Sequence, residues 1–72
     1  MKVALTGGTG VIGRSAVATL VAAGHDVVCL ARSKDSARLI RAAGATPFEG
    51  SLFDASDLVG LFEGADAGIN LA

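Results

Sequence analysis

Lys2-Val3-Ala4-Leu5-Thr6-Gly7-Gly8-Thr9-Gly10-Val11-Ile12-Gly13 is the segment with the strongest structural signal in the chain. Residues 2–6 form a short apolar run of β-compatible side chains, and residues 7–10 interrupt it with three glycines. An Ala/Val/Leu-rich segment typical of a helix begins at Val11. This order of strand, glycine turn and helix predicts the first unit of an α/β fold with a parallel sheet.

The glycines of this turn fit a dinucleotide-binding fingerprint in two registers. Gly8-x-Gly10-x-x-Gly13 is the G-x-G-x-x-G form, and Gly7-x-x-Gly10-x-x-Gly13 is a more open form of the same turn. Such glycines let the chain reverse, let the backbone approach a pyrophosphate, and let the helix pack close to its strand. At Gly10, a side chain is expected to block the pyrophosphate and to meet a disallowed φ. A turn that serves packing alone is the alternative. The predicted pyrophosphate-binding residues are Gly7, Gly8, Thr9, Gly10, Val11, Ile12 and Gly13.

The composition describes one small domain and excludes several functions. The 72 residues are 51% apolar and 18% charged, which is too apolar for a disordered chain. A net charge of −1 provides no electrostatic footprint for nucleic acid or an anionic membrane. No apolar run approaches the roughly 20 residues that span a bilayer. The single cysteine, Cys29, cannot form an intramolecular disulfide, so a reducing, cytoplasmic compartment is expected.

The remainder of the chain alternates predicted helices and strands in the order β-α-β-α-β-α-β. Val27–Ala31 is apolar at every position, as in a parallel strand that is buried on both faces. Pro47 cannot donate to a ladder, so its strand is expected at a sheet edge. The chain stops within an apolar strand, so residues 1–72 are expected to be one half of a larger domain, truncated at strand four. The predicted strands are 2–6, 27–31, 45–49 and 67–72, and the predicted helices are 11–23, 34–43 and 55–62.

Helix ends and inward faces follow from the same patterns. Gly24 and Gly44 stand where glycines end helices, and Ser33 is a candidate N-cap for the second helix. Apolar residues spaced about four apart form the predicted inward stripes. In the first helix these are Ile12, Ala16, Val17, Leu20 and Val21, and in the second they are Leu39, Ile40 and Ala43.

Residues 6–13 resemble the cofactor motif of extended and atypical short-chain dehydrogenase/reductases, a group that includes the NAD-dependent epimerase/dehydratase enzymes. Three further segments are similar to that family: residues 24–27, the Gly50-Ser51-Leu52-Phe53-Asp54 segment, and residues 67–72. The resemblance covers essentially the whole chain. It implies the N-terminal half of an NAD(P)-binding Rossmann fold, a doubly wound parallel sheet with strand order 3-2-1-4.

The resemblance also assigns residues beyond the glycine turn. Asp54 matches the last Asp of the family's G-D-L-x-D segment and is expected to bind the adenine amino group, although capping the third helix is the alternative. Ser51 replaces the first Asp of that segment. Leu71 and Ala72 match the part of the fourth strand that passes the cofactor.

The cofactor preference is expected from the end of the second strand. NAD-preferring members of the family carry an Asp at the position that matches Ala31, whereas Arg32 and Ser33 follow here. An arginine suits a 2′-phosphate, and the hydroxyl and backbone N–H of Ser33 are expected to add to the same site, so NADP is expected in preference to NAD. A plain surface arginine is the alternative reading of Arg32, and Arg14 is a weaker candidate for the same phosphate.

These features predict the cofactor half of an oxidoreductase, epimerase or dehydratase that acts on a sugar nucleotide or a small carbonyl or hydroxyl compound. The family's catalytic Ser and Tyr-x-x-x-Lys fall beyond residue 72, so no catalytic residue and no metal ligand is expected in this chain. The substrate is expected to bind through the C-terminal part, and a homodimer is among the expected assemblies. Because the fourth strand leaves an open edge, residues 1–72 alone are expected to self-associate or to be only partly folded. A non-enzymatic NADP-binding regulator and a structural or assembly protein are the alternatives.

Overall fold

The computed structural model describes residues 1–71 and contains seven alternating strands and helices. They are β1 (Lys2–Thr6), α1 (Val11–Ala22), β2 (Asp26–Ala31), α2 (Lys34–Ala42), β3 (Thr46–Glu49), α3 (Ala55–Phe62) and β4 (Ala67–Asn70). All seven predicted elements are present. β2 begins one residue earlier than predicted, because Asp26 pairs with Lys2 and its N–H donates to the Met1 carbonyl at 3.0 Å. β4 ends at Asn70, and Ala72 lies outside the described residues.

The four strands form one parallel sheet in the order β3-β2-β1-β4. The predicted order 3-2-1-4 is therefore confirmed. β1 lies at the centre, and Val3 pairs with Val27 on one side and with Ala67 on the other. Pro47 lies on the edge strand β3, as predicted, where its missing N–H leaves no gap in a ladder.

The two faces of the sheet are covered to different extents. Alternate residues of β1 and β2 contact α1 and α2 on one face, and this face forms the sealed core. On the other face, Leu61 of α3 is buried against the sheet. Phe48 lies close to Gly60, and Phe62 lies close to Gly68. With this one helix as cover, Val28 and Leu30 of β2 are only half-buried, so the expectation of a strand buried on both faces is only partly met. The core residues on the sealed face include Leu5, Val17, Val27, Cys29, Ala31, Ala37 and Ile40.

Glycines end α1 and α2 as predicted. Gly24 and Gly44 have φ values of 86° and 89°, in the left-handed region that favours glycine. The N–H groups of His25 and Ala45 reach back to carbonyls five residues earlier at 3.1 Å, which is the bond that closes a Schellman motif. Both helices therefore stop sharply and return the chain to the amino edge of the sheet.

Three residues predicted to face inward are exposed instead. Ile12 is 73% exposed, because α1 begins at the carboxyl edge of the sheet and its first turn has little of the sheet beneath it. Leu39 is 57% exposed, because the short helix α2 fills its inward stripe with Ala37 and Ile40, and Leu39 lies about 200° around the helix from Ala37. Ala43 is the exposed C-cap of the same helix.

None of the helices among residues 1–71 combines the length and apolarity needed to cross a bilayer; α1, with 12 residues, is the longest of them. The described residues also contain no group of His, Cys, Asp and Glu side chains arranged to hold a metal ion.

Candidate functional site

A cleft of ≈ 580 Å³ lies at the carboxyl edge of the sheet. Its walls are the segments that follow β1, β2, β3 and β4, so all four strands point toward it. The chain leaves β1 toward β2 on one side, while β4 lies on the other side, which makes this the switch point where open α/β sheets bind ligands. The cleft is lined by Gly7, Gly8, Thr9, Gly10, Leu30, Arg32, Ser36, Ser51, Leu52, Phe53 and Leu71.

The glycine turn has a shape that side chains would prevent at two positions. Gly7 has a φ of 77°, so the tight reversal occurs there. A Cβ on Gly13 would lie 1.9 Å from the Gly7 carbonyl oxygen, so α1 can approach the turn only with glycine at this position. Gly10 differs from the expectation: its φ of −72° is open to any residue, and a Cβ would meet only the Gly7 oxygen, at 3.6 Å. The expected disallowed φ at Gly10 is therefore wrong.

Gly8 lies directly over a buried residue of β2, which leaves no space for a side chain. A Cβ there would lie 3.0 Å from the Cys29 Sγ, which is fully buried in β2. Burial raises the pKa of the Cys29 thiol to about 11, so the sulfur is a neutral packing group at physiological pH. The Cys29 thiol therefore packs against the backbone of the glycine turn from the core side.

The start of α1 presents unsatisfied backbone N–H groups toward the cleft end of the turn. Its N-cap is Gly10, which has no side chain to occupy those donors, and no acidic residue lies in the first turn. Val11 and Ile12 belong to this turn, but their side chains are exposed and do not line the cleft. Any contribution of these two residues to anion binding is through their backbone.

The segment after β2 places Arg32 in the cleft and Ser33 outside it. Arg32 is exposed, and no acceptor among residues 1–71 engages its guanidinium; the salt bridge there joins Arg38 to Asp35. The Ser33 hydroxyl caps α2 by accepting from the Ser36 N–H at 3.1 Å. Ser36, which sequence reasoning missed, lines the cleft beside Arg32, since the third position of α2 turns back toward this edge.

Ala31 does not occupy the position that the resemblance implied. Its side chain is 1% exposed and belongs to the core beneath α2. A carboxylate at this position would enter the apolar core and would not face a ribose. Arg32 is therefore the first residue after β2 whose side chain reaches the cleft.

The segment after β3 contributes Ser51, Leu52 and Phe53, none of which was predicted to bind a cofactor. Asp54 does not line the cleft. Its carboxylate caps α3, where it accepts from the Ser56 hydroxyl and from the N–H groups of Ser56 and Asp57. These hydrogen bonds, that of the Ser56 side chain first, lower the pKa of Asp54. The general position of a loop after a parallel strand is the signal that would have predicted the three lining residues.

The cleft thus combines two polar ends with an apolar wall. One end is the glycine turn with the N-terminus of α1, and the other is Arg32 with the Ser36 hydroxyl. Leu30, Leu52 and Phe53 form the apolar part of the lining; Leu52 and Phe53 follow β3, which lies on the far side of β2 from the glycine turn. Leu71, which follows β4, also lines the cleft, and its N–H donates to the Thr6 carbonyl at 3.1 Å. This arrangement suits an elongated ligand with anionic groups and a flat apolar part.

Comparison with known proteins gives a consistent set of relatives. A family model described as NAD(P)H-binding matches residues 7–71. The chain is 37% identical over 71 residues to a sterol-4-alpha-carboxylate 3-dehydrogenase (decarboxylating) of Dictyostelium discoideum, covering 99% of this chain and 22% of that protein. It is 39% identical over 70 residues to the photosystem II assembly factor Ycf39 of a Synechocystis species, covering 97% and 22%.

A third relative is a 4-hydroxy-2-methyl-3-oxo-4-farnesyl-3,4-dihydroquinoline-1-oxide ketoreductase of Stigmatella aurantiaca, 42% identical over 52 residues, which are 72% of this chain and 16% of that protein. The chain therefore spans about a fifth of the length of the curated relatives it matches. No solved structure matches it significantly.

Proposed function

The chain belongs to the NAD(P)H-binding family, and on this basis we propose that its cleft binds NADP in preference to NAD as the cofactor part of a short-chain dehydrogenase/reductase-type enzyme. The observation that carries the proposal is one cleft that joins the glycine turn to the unpartnered guanidinium of Arg32. Relatives named as a dehydrogenase and a ketoreductase support the oxidoreductase class.

The pyrophosphate is assigned to the glycine turn, residues 7–13. Here the N-terminus of α1 offers free N–H groups and the positive end of the helix dipole, with no carboxylate in the first turn to compete. Gly10 is exposed and leaves the backbone open to the ligand. The side chain of Thr9 supplies a hydroxyl on the same wall.

The preference for NADP is assigned to Arg32. NADP differs from NAD by a ribose phosphate, and a planar guanidinium can donate two parallel hydrogen bonds to its oxygens. A charge-assisted hydrogen bond contributes roughly 1.5–3 kcal/mol, which corresponds to about a ten- to hundredfold preference. The Ser36 hydroxyl, which lies 3.0 Å from the Ser33 hydroxyl in a hydrogen bond, adds a second polar group at this end of the cleft. Ser33 acts through the start of α2, since its own hydroxyl caps that helix.

The test is a titration of NADPH and NADH against the wild type and Arg32→Ala at one moderate salt concentration, because a phosphate contact is partly screened. The wild type is expected to bind NADPH about ten- to a hundredfold more tightly than NADH. Arg32→Ala is expected to weaken NADPH binding to the level of NADH and to leave NADH nearly unchanged.

Arg41→Ala is the matched control, since Arg41 is an exposed arginine of α2 that does not line the cleft. It should leave both affinities unchanged. Equal affinities for the two cofactors in the wild type, or an equal loss of both in Arg32→Ala, would remove Arg32 from the site. Adenine recognition by Asp54 stays a prediction; its carboxylate caps α3 and does not line the cleft.

The substrate is proposed to be a small carbonyl or hydroxyl compound or a sugar nucleotide, bound beside the nicotinamide by residues outside this chain. A dinucleotide bound in this cleft would supply the hydride chemistry that reduction, epimerisation and dehydration share. Residues 1–71 contribute binding and orientation of the cofactor.

A non-enzymatic assembly role is the second candidate function. The similarity to a photosystem II assembly factor, over 97% of this chain, specifically favours it. Fold alone does not separate the two candidates. Consumption of bound NADPH in the presence of carbonyl compounds supports the enzyme, whereas tight NADPH binding without any turnover supports the assembly role.

A further inference from the structure

We infer that Asp57 is a positioning residue of the cleft, whose carboxylate holds the loop of residues 50–54 in the shape that receives the adenosine half of the dinucleotide. The inference rests on the proposed function. Asp57 does not line the cleft, so it acts through the backbone of the loop.

The carboxylate of Asp57 is in direct contact with the start of this loop. Its Oδ2 accepts a hydrogen bond from the Ser51 N–H at 2.9 Å. A Cβ added to Gly50 would lie 3.0 Å from the Cβ, Cγ and Oδ2 of Asp57. The carboxylate and the loop backbone are therefore packed together without space for even a methyl group.

The Asp57 carboxylate does not bind the N–H group that a side chain at its position in a helix commonly binds. Asp57 is the third residue of the helix, where a side chain commonly returns to the N–H of the N-cap residue. Here the Asp54 N–H donates instead to the Ser51 carbonyl at 3.2 Å, and the carboxylate of Asp57 extends three residues further back. The carboxylate thus orders the loop and not the helix end.

The rest of the loop depends on Ser51 being held. Its hydroxyl accepts from the Phe53 N–H at 3.1 Å, and its carbonyl accepts from Asp54. On the sheet side, the Gly50 N–H donates to the Ala31 carbonyl at 3.0 Å. Asp57 therefore completes a chain of hydrogen bonds that runs from the sheet edge through Ser51 to the start of α3.

Packing cannot replace these bonds. Phe53 is 99% exposed and Leu52 is 39% exposed, so the protein interior does not hold the two large side chains of this wall. Their position over the cleft is set by the backbone that carries them. A loop released from Asp57 would sample other positions, and the ligand would bear the entropy of ordering it.

The test compares Asp57→Ala with Asp57→Asn, because the amide oxygen of Asn can still accept the Ser51 N–H. Three ligands are titrated: NADPH, 2′,5′-ADP as the adenosine half, and inorganic pyrophosphate as the group bound by the glycine turn. Asp57→Ala is expected to weaken NADPH and 2′,5′-ADP about tenfold, the loss that follows when a hydrogen bond to a charged acceptor no longer orders the loop. Pyrophosphate affinity should not change, and Asp57→Asn should bind all three within about twofold of the wild type.

Glu63→Ala controls for the loss of one negative charge, since Glu63 is an exposed carboxylate at the other end of α3, and it should leave the three affinities unchanged. Amide hydrogen exchange gives a second measurement: the Ser51 N–H should exchange faster in Asp57→Ala, while that of Leu5 in β1 keeps its protection.

Wild-type affinities in Asp57→Ala, or an equal loss for pyrophosphate, would overturn the inference. Asp57→Asn binding as weakly as Asp57→Ala would also overturn it. Failure of the wild type to bind NADPH would refute the proposed function itself, and the inference would fall with it.

Discussion

The glycine turn (residues 7–13) and the loop after β3 (residues 50–54) line the same cleft but obtain their shapes in opposite ways. The turn is shaped by missing side chains: Gly7 adopts a left-handed φ, and a Cβ on Gly13 would overlap the Gly7 carbonyl. The loop is shaped by the side-chain oxygens of Asp57 and Ser51, which accept its backbone N–H groups, and it ends at Asp54, whose carboxylate caps α3. One region is limited by steric overlap and the other by hydrogen bonding.

The difference predicts how each region responds to change. Backbone atoms of the turn cannot move aside to relieve a steric overlap, so a substitution there is expected to cause a large loss of stability that does not depend on pH. Individual hydrogen bonds to side-chain oxygens contribute modestly, so changes in the loop should be graded. At Asp54, whose pKa these bonds lower, the effect should also depend on pH. Three experiments test this contrast.

Gly13→Ala is expected to have the largest effect. Its Cβ would lie 1.9 Å from the Gly7 oxygen and 2.9 Å from the Gly8 Cα, so the start of α1 must move away from the turn. We expect a loss of more than about 3 kcal/mol in the free energy of unfolding, measured by urea denaturation. Gly10→Ala is the control, because its Cβ has space: stability should fall by less than about 1 kcal/mol, while dinucleotide binding is lost. Similar stabilities of the two variants would contradict the steric account.

Gly8→Ala is expected to have an intermediate effect that depends on Cys29. The new Cβ would lie 3.0 Å from the buried Cys29 Sγ, which cannot move freely within the core. A loss of about 1–3 kcal/mol is expected for Gly8→Ala alone. Cys29→Ala removes the sulfur, so the double variant should be more stable than the sum of the two single losses predicts. Simple additivity in this double-mutant cycle would show that Gly8 is required for another reason.

Asp54 is expected to have the smallest effect, and a pH-dependent one. Hydrogen bonds from Ser56 and Asp57 lower its pKa in the folded protein, so its contribution is present above the ordinary pKa of Asp and is lost as the pH falls through the lowered value. Asp54→Ala should melt a few degrees below the wild type at neutral pH, and the gap should narrow in acid. Asp54→Asn, which keeps an N-cap oxygen but does not titrate, should show a weaker acid dependence than the wild type. A gap that stays constant with pH would exclude the charged cap.

The contrast between the two regions also explains which features of the molecule are predictable from its sequence. The seven elements are predictable because local signals agree: apolar runs for the strands, periodic helices, and glycines at 24 and 44 where helices end. Pro47 places its strand at an edge because the missing N–H is a property of the residue itself. Inward faces are harder, and the prediction for Leu39 is wrong because a helix of nine residues at the sheet edge buries only a narrow stripe.

Local sequence was sufficient for the order of the elements and for the glycine turn, because backbone freedom, hydrogen-bonding capacity and hydrophobic period are properties of short stretches. The family resemblance of residues 6–13 added the strand order. The sequence indicated that the glycine turn, Arg32 and Leu71 belong to one site, but tertiary packing decided the rest of the cleft lining. In the folded chain, the side chain of Ala31 lies in the core and that of Arg32 lines the cleft. Asp54 caps α3, and Ser36 and Ser51 lie at the same edge of the sheet. These outcomes depend on contacts between segments far apart in the chain, and the distances that set them exist only after the sheet has formed.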